Sequence, residues 1–252
     1  MSFPYSSVTF IVIFVAWEAA VRFLAISPII LPAPTAVFAD MVVHWRDLAL
    51  AAGTTTWEIL LGFTLSILIA VPLAIMLTSS RAIEKAIYPV IIAAQTIPKI
   101  AIAPVLLAWF GFGLRPKIII VILIAFFPIV INSVVGMKSL STQTRNLARS
   151  MGATWSQIFW RFQLPNALPS IFAGMKVATT LAIIGAIVAE FVGADSGLGY
   201  MMMLATSELD MAREFAAITI LTVIGIIFFA AIEWTERLVL PWHVSIRSDR
   251  HD

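Results

Sequence analysis

The stretch PKIIIVILIAFFPIVINSVVGM (Pro116–Met137) carries a single charged residue, Lys117, at its start. Its apolar residues run without a break and do not alternate in twos, as they would in a strand of a membrane barrel. A helix needs about 20 mostly apolar residues to cross the hydrocarbon core of a bilayer. The stretch therefore predicts a membrane-spanning helix.

The rest of the chain repeats this pattern. Of its 252 residues only 12% are charged, and the mean hydropathy is +1.00; a soluble domain carries about a quarter charged residues. We predict an all-α, polytopic membrane protein with about six transmembrane helices. Their approximate bounds are Val8–Ile26, Thr55–Thr78, Ala86–Phe110, Pro116–Met137, Pro169–Phe191 and Phe215–Leu238.

The connections suggest one transmembrane domain over residues 1–252. Residues 1–52 hold the first span and an outer segment, in which a proline-rich turn precedes an amphipathic helix at Thr35–Leu50. Residues 53–240 form the core spans with a polar loop at 138–168, and 241–252 form a tail. Lys and Arg are more frequent in the loops on the side of the two termini, which predicts that the termini are cytoplasmic.

The polar loop contains RNLARSMGATWSQIFWRFQLPNALP (Arg145–Pro169). A short helix is expected over Arg145–Met151, and Gly152 suits the left-handed residue that ends it. Thr154 is a candidate N-cap of a second helix, with Gln157 completing a capping box. The pattern predicts a helix–glycine–helix hairpin.

The second helix of the hairpin has apolar residues at helical spacing. Trp155, Ile158, Phe159 and Phe162 fall on one face, Pro165 is expected to stop the helix, and Pro169 to begin the fifth span. Such a hairpin suits either of two roles, an interfacial anchor in lipid or a knob that docks on a cytoplasmic partner.

Three stretches carry a family resemblance. The spacing from Gly152 to Phe162-x-Leu164-Pro165 resembles the EAA loop of binding-protein-dependent ABC importer permeases, whose pattern is E-A-A, three residues, G, nine residues, I-x-L-P. Asn146, Leu147 and Ala148 occupy the E-A-A positions, and only Ala148 matches. The stretches Ile97–Ile118 and Ala189–Met202 resemble the nitrate, sulfonate and taurine branch of that family, which includes permeases for vitamin precursors and aromatic acids.

The resemblance implies that the loop is a coupling helix that inserts into an ATPase subunit. It implies a bacterial cytoplasmic (inner) membrane location, a second permease copy, most simply in a homodimer, two cytoplasmic ABC ATPase subunits and a periplasmic or lipid-anchored solute-binding protein. The ATPase-coupling residues would be Ala148, Arg149, Gly152, Ala153, Thr154, Trp155, Ile158, Phe159, Leu164 and Pro165.

The chain has no phosphate-binding loop of the form G-x-x-x-x-G-K-[ST]. ATP and Mg are therefore expected on the partner ATPase, and this chain is not expected to be an enzyme. It has no cysteine, and His44, His243 and His251 are far apart in sequence, so no metal site is expected. A secondary transporter is less favoured, because the prolines of the third span have no counterpart in a second repeat.

Ionisable and polar residues inside the spans are candidates for the translocation path. Lys99 follows Gln95 and Thr96 in a third span interrupted by prolines, and irregular backbone at membrane depth must face protein or a water-filled cavity. A lysine there would suit a small anionic solute such as a sulfonate, taurine or nitrate, although it could equally pair with a carboxylate of another span. A pyrimidine vitamin precursor or an aromatic carboxylate stays open as the solute. Weaker candidates are Asn132, Lys176 and Glu190.

Other charges in the spans have structural interpretations. Glu18 and Arg22 stand one helical turn apart and are expected to pair. Lys176 could reach the cytoplasmic surface with its long stem. Glu58 and Glu190 lie near span ends, where they could reach the headgroups.

Overall fold

The computed structural model describes the backbone of residues 3–241 and the side chains of residues 8–241. In this part of the chain the regular structure is helical, which confirms the all-α prediction. The α-helices are α1 (Phe3–Phe23), α2 (Pro34–Val43), α3 (Trp45–Ser79), α4 (Arg81–Gln95), α5 (Ala103–Phe110), α6 (Leu114–Lys138), α7 (Thr142–Ser150), α8 (Trp155–Ile158), α9 (Leu164–Gly193), α10 (Leu198–Glu208) and α11 (Met211–Val239). A 3₁₀ turn covers Lys99–Ile102, and a π-helical turn covers Phe159–Gln163.

Helices α3, α6 and α9 form the centre of the bundle. Their shared core contains fully buried Ile59, Val121 and Ala182 among other apolar side chains. Gly174 lets α9 approach α6 closely, since a Cβ there would lie 2.8 Å from the carbonyl oxygen of Pro128. Small residues at such crossings allow helices in lipid to pack backbone against backbone.

Four helical stretches among the described residues are long and apolar enough to cross a membrane: Trp45–Ser79, Leu114–Lys138, Trp155–Gly193 and Met211–Val239. They correspond to the second, fourth, fifth and sixth predicted spans. The first predicted span coincides with α1, whose described side chains begin only at residue 8.

The third predicted span, Ala86–Phe110, is not one helix. Helix α4 ends at Gln95, and the segment Lys99–Phe110 leaves it at an angle of 85°, as in a broken span or a re-entrant loop. Pro98 lies at the break, where its ring removes one backbone donor and fixes φ. With this bent pair counted as one, the described residues contain up to five spans.

The amphipathic helix predicted at Thr35–Leu50 is divided in the structure. Helix α2 ends at Val43, and α3 begins at Trp45, well before the expected start of the second span at Thr55. The predicted pairing of Glu18 with Arg22 in the first span is confirmed, since Arg22 Nε lies 2.5 Å from Glu18 Oε1. Thr35 also donates its backbone N–H to Glu18, which joins α1 to α2.

The prediction that Pro165 ends the hairpin helix was wrong. The chain continues from Trp155 to Gly193 as one helical element, with Pro165 in the first turn of α9 and Pro169 inside that helix. The π-helical turn just before Pro165 explains the difference. Proline clashes with the carbonyl four residues earlier in a regular α-helix, and the wider π turn, in which Leu164 N–H donates to Phe159 O, changes that register.

Candidate functional site

The hairpin between α6 and α9 begins with a well-capped helix. Ser141 accepts a hydrogen bond from the Thr144 N–H, so α7 starts earlier than the predicted Arg145. At the other end Gly152 has φ of +80°, its N–H donates to Arg149 O, and the Ala153 N–H donates to Ala148 O. These two bonds form a Schellman motif, which confirms the predicted role of Gly152 in ending the helix.

The second half of the hairpin also starts as predicted. Thr154 N–H donates to Gln157 Oε1 at 2.8 Å, and the Gln157 N–H donates to Thr154 Oγ1 at 3.4 Å, which completes the capping box. Two caps on adjacent helix ends hold the connection between α7 and α8 in a defined shape.

The apolar face predicted for the hairpin is divided between core and surface. Ile158 and Phe159 are buried, whereas Trp155 and Phe162 are exposed. Trp155 stacks on Phe159 with ring centroids 5.6 Å apart. The π turn over Phe159–Gln163 changes the angular spacing after Phe159, so Phe162 does not share the face of Ile158 and Phe159.

The remaining predicted coupling residues surround these caps. Ala148 is buried, Ala153, Leu164 and Pro165 are half-buried, and Arg149 is exposed. A cleft of about 330 Å³ separates the two hairpin helices, and Ala148, Gly152 and Ala153 line it. The structure thus brings most of the predicted set together on one compact projection.

The hairpin is fixed to the end of the bundle. Gln163 is buried and donates from Nε2 to the Met137 carbonyl at 3.2 Å, and Asn166 donates to Ser139 Oγ at 2.6 Å. These two hydrogen bonds link the hairpin to the end of α6. We call the end of the bundle that carries the hairpin the hairpin end.

The polar residues of the bent third span line a separate pocket. Its volume is about 580 Å³, and Gln95, Thr96, Lys99 and Asn132 contribute to its wall. Lys99 Nζ donates to the Gln95 carbonyl oxygen and lies 4.5 Å from the centre of the Phe127 ring. Four residues predicted for the translocation path therefore lie together beside the middle of α6.

The other two candidates for the path are elsewhere. Lys176 Nζ lies 2.5 Å from Glu236 Oε2 and makes an ion pair between α9 and α11. Glu190 is fully buried at the end of the bundle opposite the hairpin. Neither residue lines the pocket of Lys99.

That opposite end contains a buried ion cluster that the sequence analysis missed. Lys117 Nζ lies 2.8 Å from Glu58 Oε1, and both residues are at most 3% exposed. Glu190 accepts from Thr55 Oγ1 at 2.7 Å and from the Gly199 N–H at 2.5 Å. The expectation that Glu58 and Glu190 reach the headgroups was wrong.

The loop before α10 is built around the Glu190 carboxylate. A Cβ on Gly197 would lie 2.1 Å from Glu190 Oε1, and one on Gly199 would lie 2.8 Å from Oε2. Gly197 also has φ of +110°, a region that favours glycine. Thr55 Oγ1 accepts from the Leu198 N–H at 2.8 Å, so Thr55 and Glu190 together satisfy the first N–H groups of α10.

A signal for this cluster was present in the sequence. Glu58 and Lys117 are opposite charges inside two apolar runs, and ionisable residues in membrane spans usually pair with one another. The GLG sequence (197–199), seven residues after Glu190, indicated close backbone approach.

Comparison with known proteins agrees with this architecture. Residues 62–241 match the family described as binding-protein-dependent transport system inner membrane component. The formylaminopyrimidine transport permease protein of Halalkalibacterium halodurans is 37% identical over 92% of this chain and 93% of its own length. The riboflavin transport system permease protein of Chloroflexus aurantiacus is 35% identical over 94% and 90% of the two chains.

A putative aliphatic sulfonates transport permease protein of Bacillus subtilis is 30% identical over 93% of this chain and 86% of its own length. These proteins are transporter permeases, not enzymes, and their similarity to this chain extends over nearly its whole length. The chain therefore belongs to the family of binding-protein-dependent transport system inner membrane components, the multi-pass permeases of ABC importers.

Proposed function

We propose that this permease carries a small anionic solute through the pocket of Lys99, and that the solute is a sulfonate, taurine, nitrate or a similar anion. The observation that carries this proposal is the placement of Lys99. Its ammonium group makes no ion pair among residues 8–241 and is held by a carbonyl oxygen and an aromatic face. An anion entering the pocket would supply the missing counter-charge.

The polar neighbours of Lys99 add hydrogen-bonding groups. Gln95, Thr96 and Asn132 lie in the same wall, and the pocket of about 580 Å³ is in the size range of small-molecule sites. The Asn132 side chain uses one of its donors on the Pro128 carbonyl. Its amide oxygen and second donor stay available to a solute.

A second permease copy is part of this proposal. The break at residues 96–98 has exposed side chains, including Thr96, on the surface of the single chain. Backbone of this kind at membrane depth must be covered by protein or border a water-filled cavity. A twofold homodimer that places the two pockets face to face would meet this requirement most simply.

The driving force comes from separate subunits in this proposal. Two cytoplasmic ATPases bind ATP and Mg and hold the hairpins, so the hairpin end and both chain termini face the cytoplasm. A solute-binding protein delivers the solute at the opposite end. The two capped helices and the anchor through Gln163 support a rigid projection of this kind.

An aromatic or heteroaromatic solute is the second candidate. Phe127 presents a ring to the pocket next to Lys99, and aromatic faces stack on planar ligands. The relatives named for formylaminopyrimidine and riboflavin are more similar to this chain than the sulfonate relative is. An uncharged pyrimidine vitamin precursor would stack on the ring, whereas an aromatic carboxylate would use both the ring and the ammonium group.

The test is solute uptake by proteoliposomes that contain the permease, its co-expressed ATPase and its binding protein. Sulfonates, taurine, nitrate, a formylaminopyrimidine and benzoate are supplied separately with internal ATP. The solute that is taken up is then measured with Lys99→Met. We expect uptake of an anion to fall at least tenfold, because removal of a desolvated charge partner costs about 2–5 kcal/mol.

Lys85→Met is the matched control, since Lys85 is an exposed lysine on α4 that does not line the pocket. It should transport like the unmodified protein. Uptake of an uncharged pyrimidine that is unaffected by Lys99→Met would favour the second candidate. Normal anion uptake by Lys99→Met would contradict the proposed path.

A further inference from the structure

A crevice at the hairpin end contains three arginines. Its volume is about 590 Å³, and it lies between the α3–α4 turn and the two hairpin helices. Arg81 comes from the turn, and Arg145 and Arg149 come from α7. No Asp or Glu is among its lining residues, which include Thr78, Ser79, Asn146, Trp155 and Gln163.

The three guanidinium groups have no ion pair among residues 8–241, although carboxylates are present at the same end. Glu84 is paired with Lys138, Glu236 with Lys176, and Glu233 with Arg237. Each nearby acid is thus committed to another cation. The crevice keeps an excess of positive charge that these residues do not neutralise.

Arg145 shows that this charge faces inward. Its Nε is buried and has no hydrogen-bond partner in the described part of the chain. A buried donor of a charged group that stays unpaired is unfavourable for the fold. Arg145 and Arg149 are also one helical turn apart on α7, where like charges destabilise the helix. An anion between them would remove both costs.

The geometry selects the kind of anion. Guanidinium groups bind carboxylates and phosphates in a forked arrangement with two hydrogen bonds. Trp155, which lines the crevice, is exposed, as are Leu147 and Met151 elsewhere on the hairpin. These apolar residues favour a protein partner, since Arg, Met and Trp are enriched in the cores of protein interfaces. An interfacial anchor would instead extend its arginines outward to the headgroups, whereas Arg145 Nε is enclosed.

We infer that the arginine crevice receives an Asp or Glu side chain of the ATPase subunit. The permease supplies the cations of this contact, and Asn146, at the position where the EAA pattern has its glutamate, contributes no acid of its own. This inference rests on the proposed function, which makes the hairpin the contact with the ATPase.

The experiment measures how much ATPase stays on affinity-tagged permease as the NaCl concentration rises. The co-expressed assembly is compared with Arg145→Gln, Arg149→Gln and the double variant. We expect the double variant to retain at least tenfold less ATPase and to lose most of the salt dependence, because screening acts on the charge pair. Arg145→Lys should be intermediate, since it keeps the charge and loses the fork.

Arg161→Gln is the matched control. Arg161 lies on the same hairpin but lines the cleft between its two helices, so the variant should behave like the unmodified protein. Charge reversal then identifies the partner residue. Arg149→Glu should lose the ATPase, and a single Asp→Lys or Glu→Lys change on the ATPase should restore it.

Four results would overturn the inference. The glutamine variants could retain ATPase normally, or they could lose it with an unchanged salt dependence. The unmodified assembly could also be reconstituted in lipid nanodiscs with and without phosphatidylglycerol. Loss of the ATPase only when this lipid is omitted would assign the crevice to a lipid headgroup. The double variant Asp249→Asn with Asp252→Asn could reproduce the loss, which would assign it to this chain's own carboxyl-terminal residues.

Failure of the proposed function gives a different result. Suppose that the unmodified permease retains no ATPase at any salt concentration, although a thermal unfolding transition shows that its bundle is folded. The hairpin is then not an ATPase contact, and the inference fails with the proposed function.

Discussion

The two ends of the bundle treat charge in opposite ways. At one end Glu58, Lys117 and Glu190 are buried among partners from their own chain. At the hairpin end Arg145 and Arg149 line a crevice without an acid among the described residues. In the first arrangement Lys117 pairs with Glu58, although Glu58 Oε2 has no hydrogen-bond partner in the described part of the chain, whereas in the second no described acid neutralises the arginines. We infer that the ion cluster fixes the fold and that the hairpin is shaped for assembly.

The largest effect is expected for Lys117→Met. This change leaves Glu58 buried without its cation and should destabilise the bundle by about 3–5 kcal/mol. Thermal unfolding in detergent, followed by tryptophan fluorescence, measures it. The double variant Lys117→Met with Glu58→Met should recover much of the loss, since apolar replacement of a buried pair is often neutral. An unchanged unfolding temperature in Lys117→Met would contradict the view that the cluster holds this end together.

A smaller loss is expected for Gly199→Ala. Its Cβ would lie 2.8 Å from Glu190 Oε2 and 2.9 Å from Glu190 Cβ, and overpacking of this kind costs about 1–3 kcal/mol. The same unfolding assay applies. Gly53→Ala on α3 is the control, because a Cβ there meets nothing within 4 Å and alanine favours the helix by up to about 1 kcal/mol. Equal destabilisation by both changes would argue against close packing of Gly199 on the Glu190 side chain.

The smallest effect on the bundle is expected for Gly152→Ala. The residue has φ of +80°, and a Cβ at this position would meet no other atom within 4 Å, so the cost is only the backbone term of about 1–2 kcal/mol. That cost falls on the hairpin. ATPase retention should decrease about fivefold or more, while the unfolding temperature of the bundle stays the same. A clear fall in that temperature would mean that the two ends are not independent.

Much of the fold could be predicted from local sequence. The unbroken apolar runs predicted the helices, and the residues that cap the hairpin, Gly152 and Thr154, were recognisable because capping depends on neighbours a few positions away. Gln95, Thr96 and Lys99 were predicted together for the same reason, as they follow one another on a single turn of chain. The structure places Asn132, a weaker candidate from α6, in the wall of the same pocket.

The errors concern contacts between distant segments or competing local rules. Glu58 and Lys117 are far apart in sequence, so neither apolar run alone shows the pair. Lys176 was similarly assigned without its partner Glu236 on α11. Pro165 was taken as a helix stop because proline usually is one, and a π turn that accommodates it depends on the packing of Phe159 and Gln163 against the bundle.

The continuous helical element from Trp155 to Gly193 has a mechanical consequence. At about 1.5 Å per residue, its 39 residues make a rod close to 60 Å long, with the hairpin at one tip and Glu190 near the other. A torque applied at the hairpin is either absorbed at the π turn or carried along the rod to the loop that contains Gly197 and Gly199. If the hairpin is driven by an ATPase as proposed, the stiffness of that single turn sets how much of the movement of the hairpin reaches the loop around Glu190.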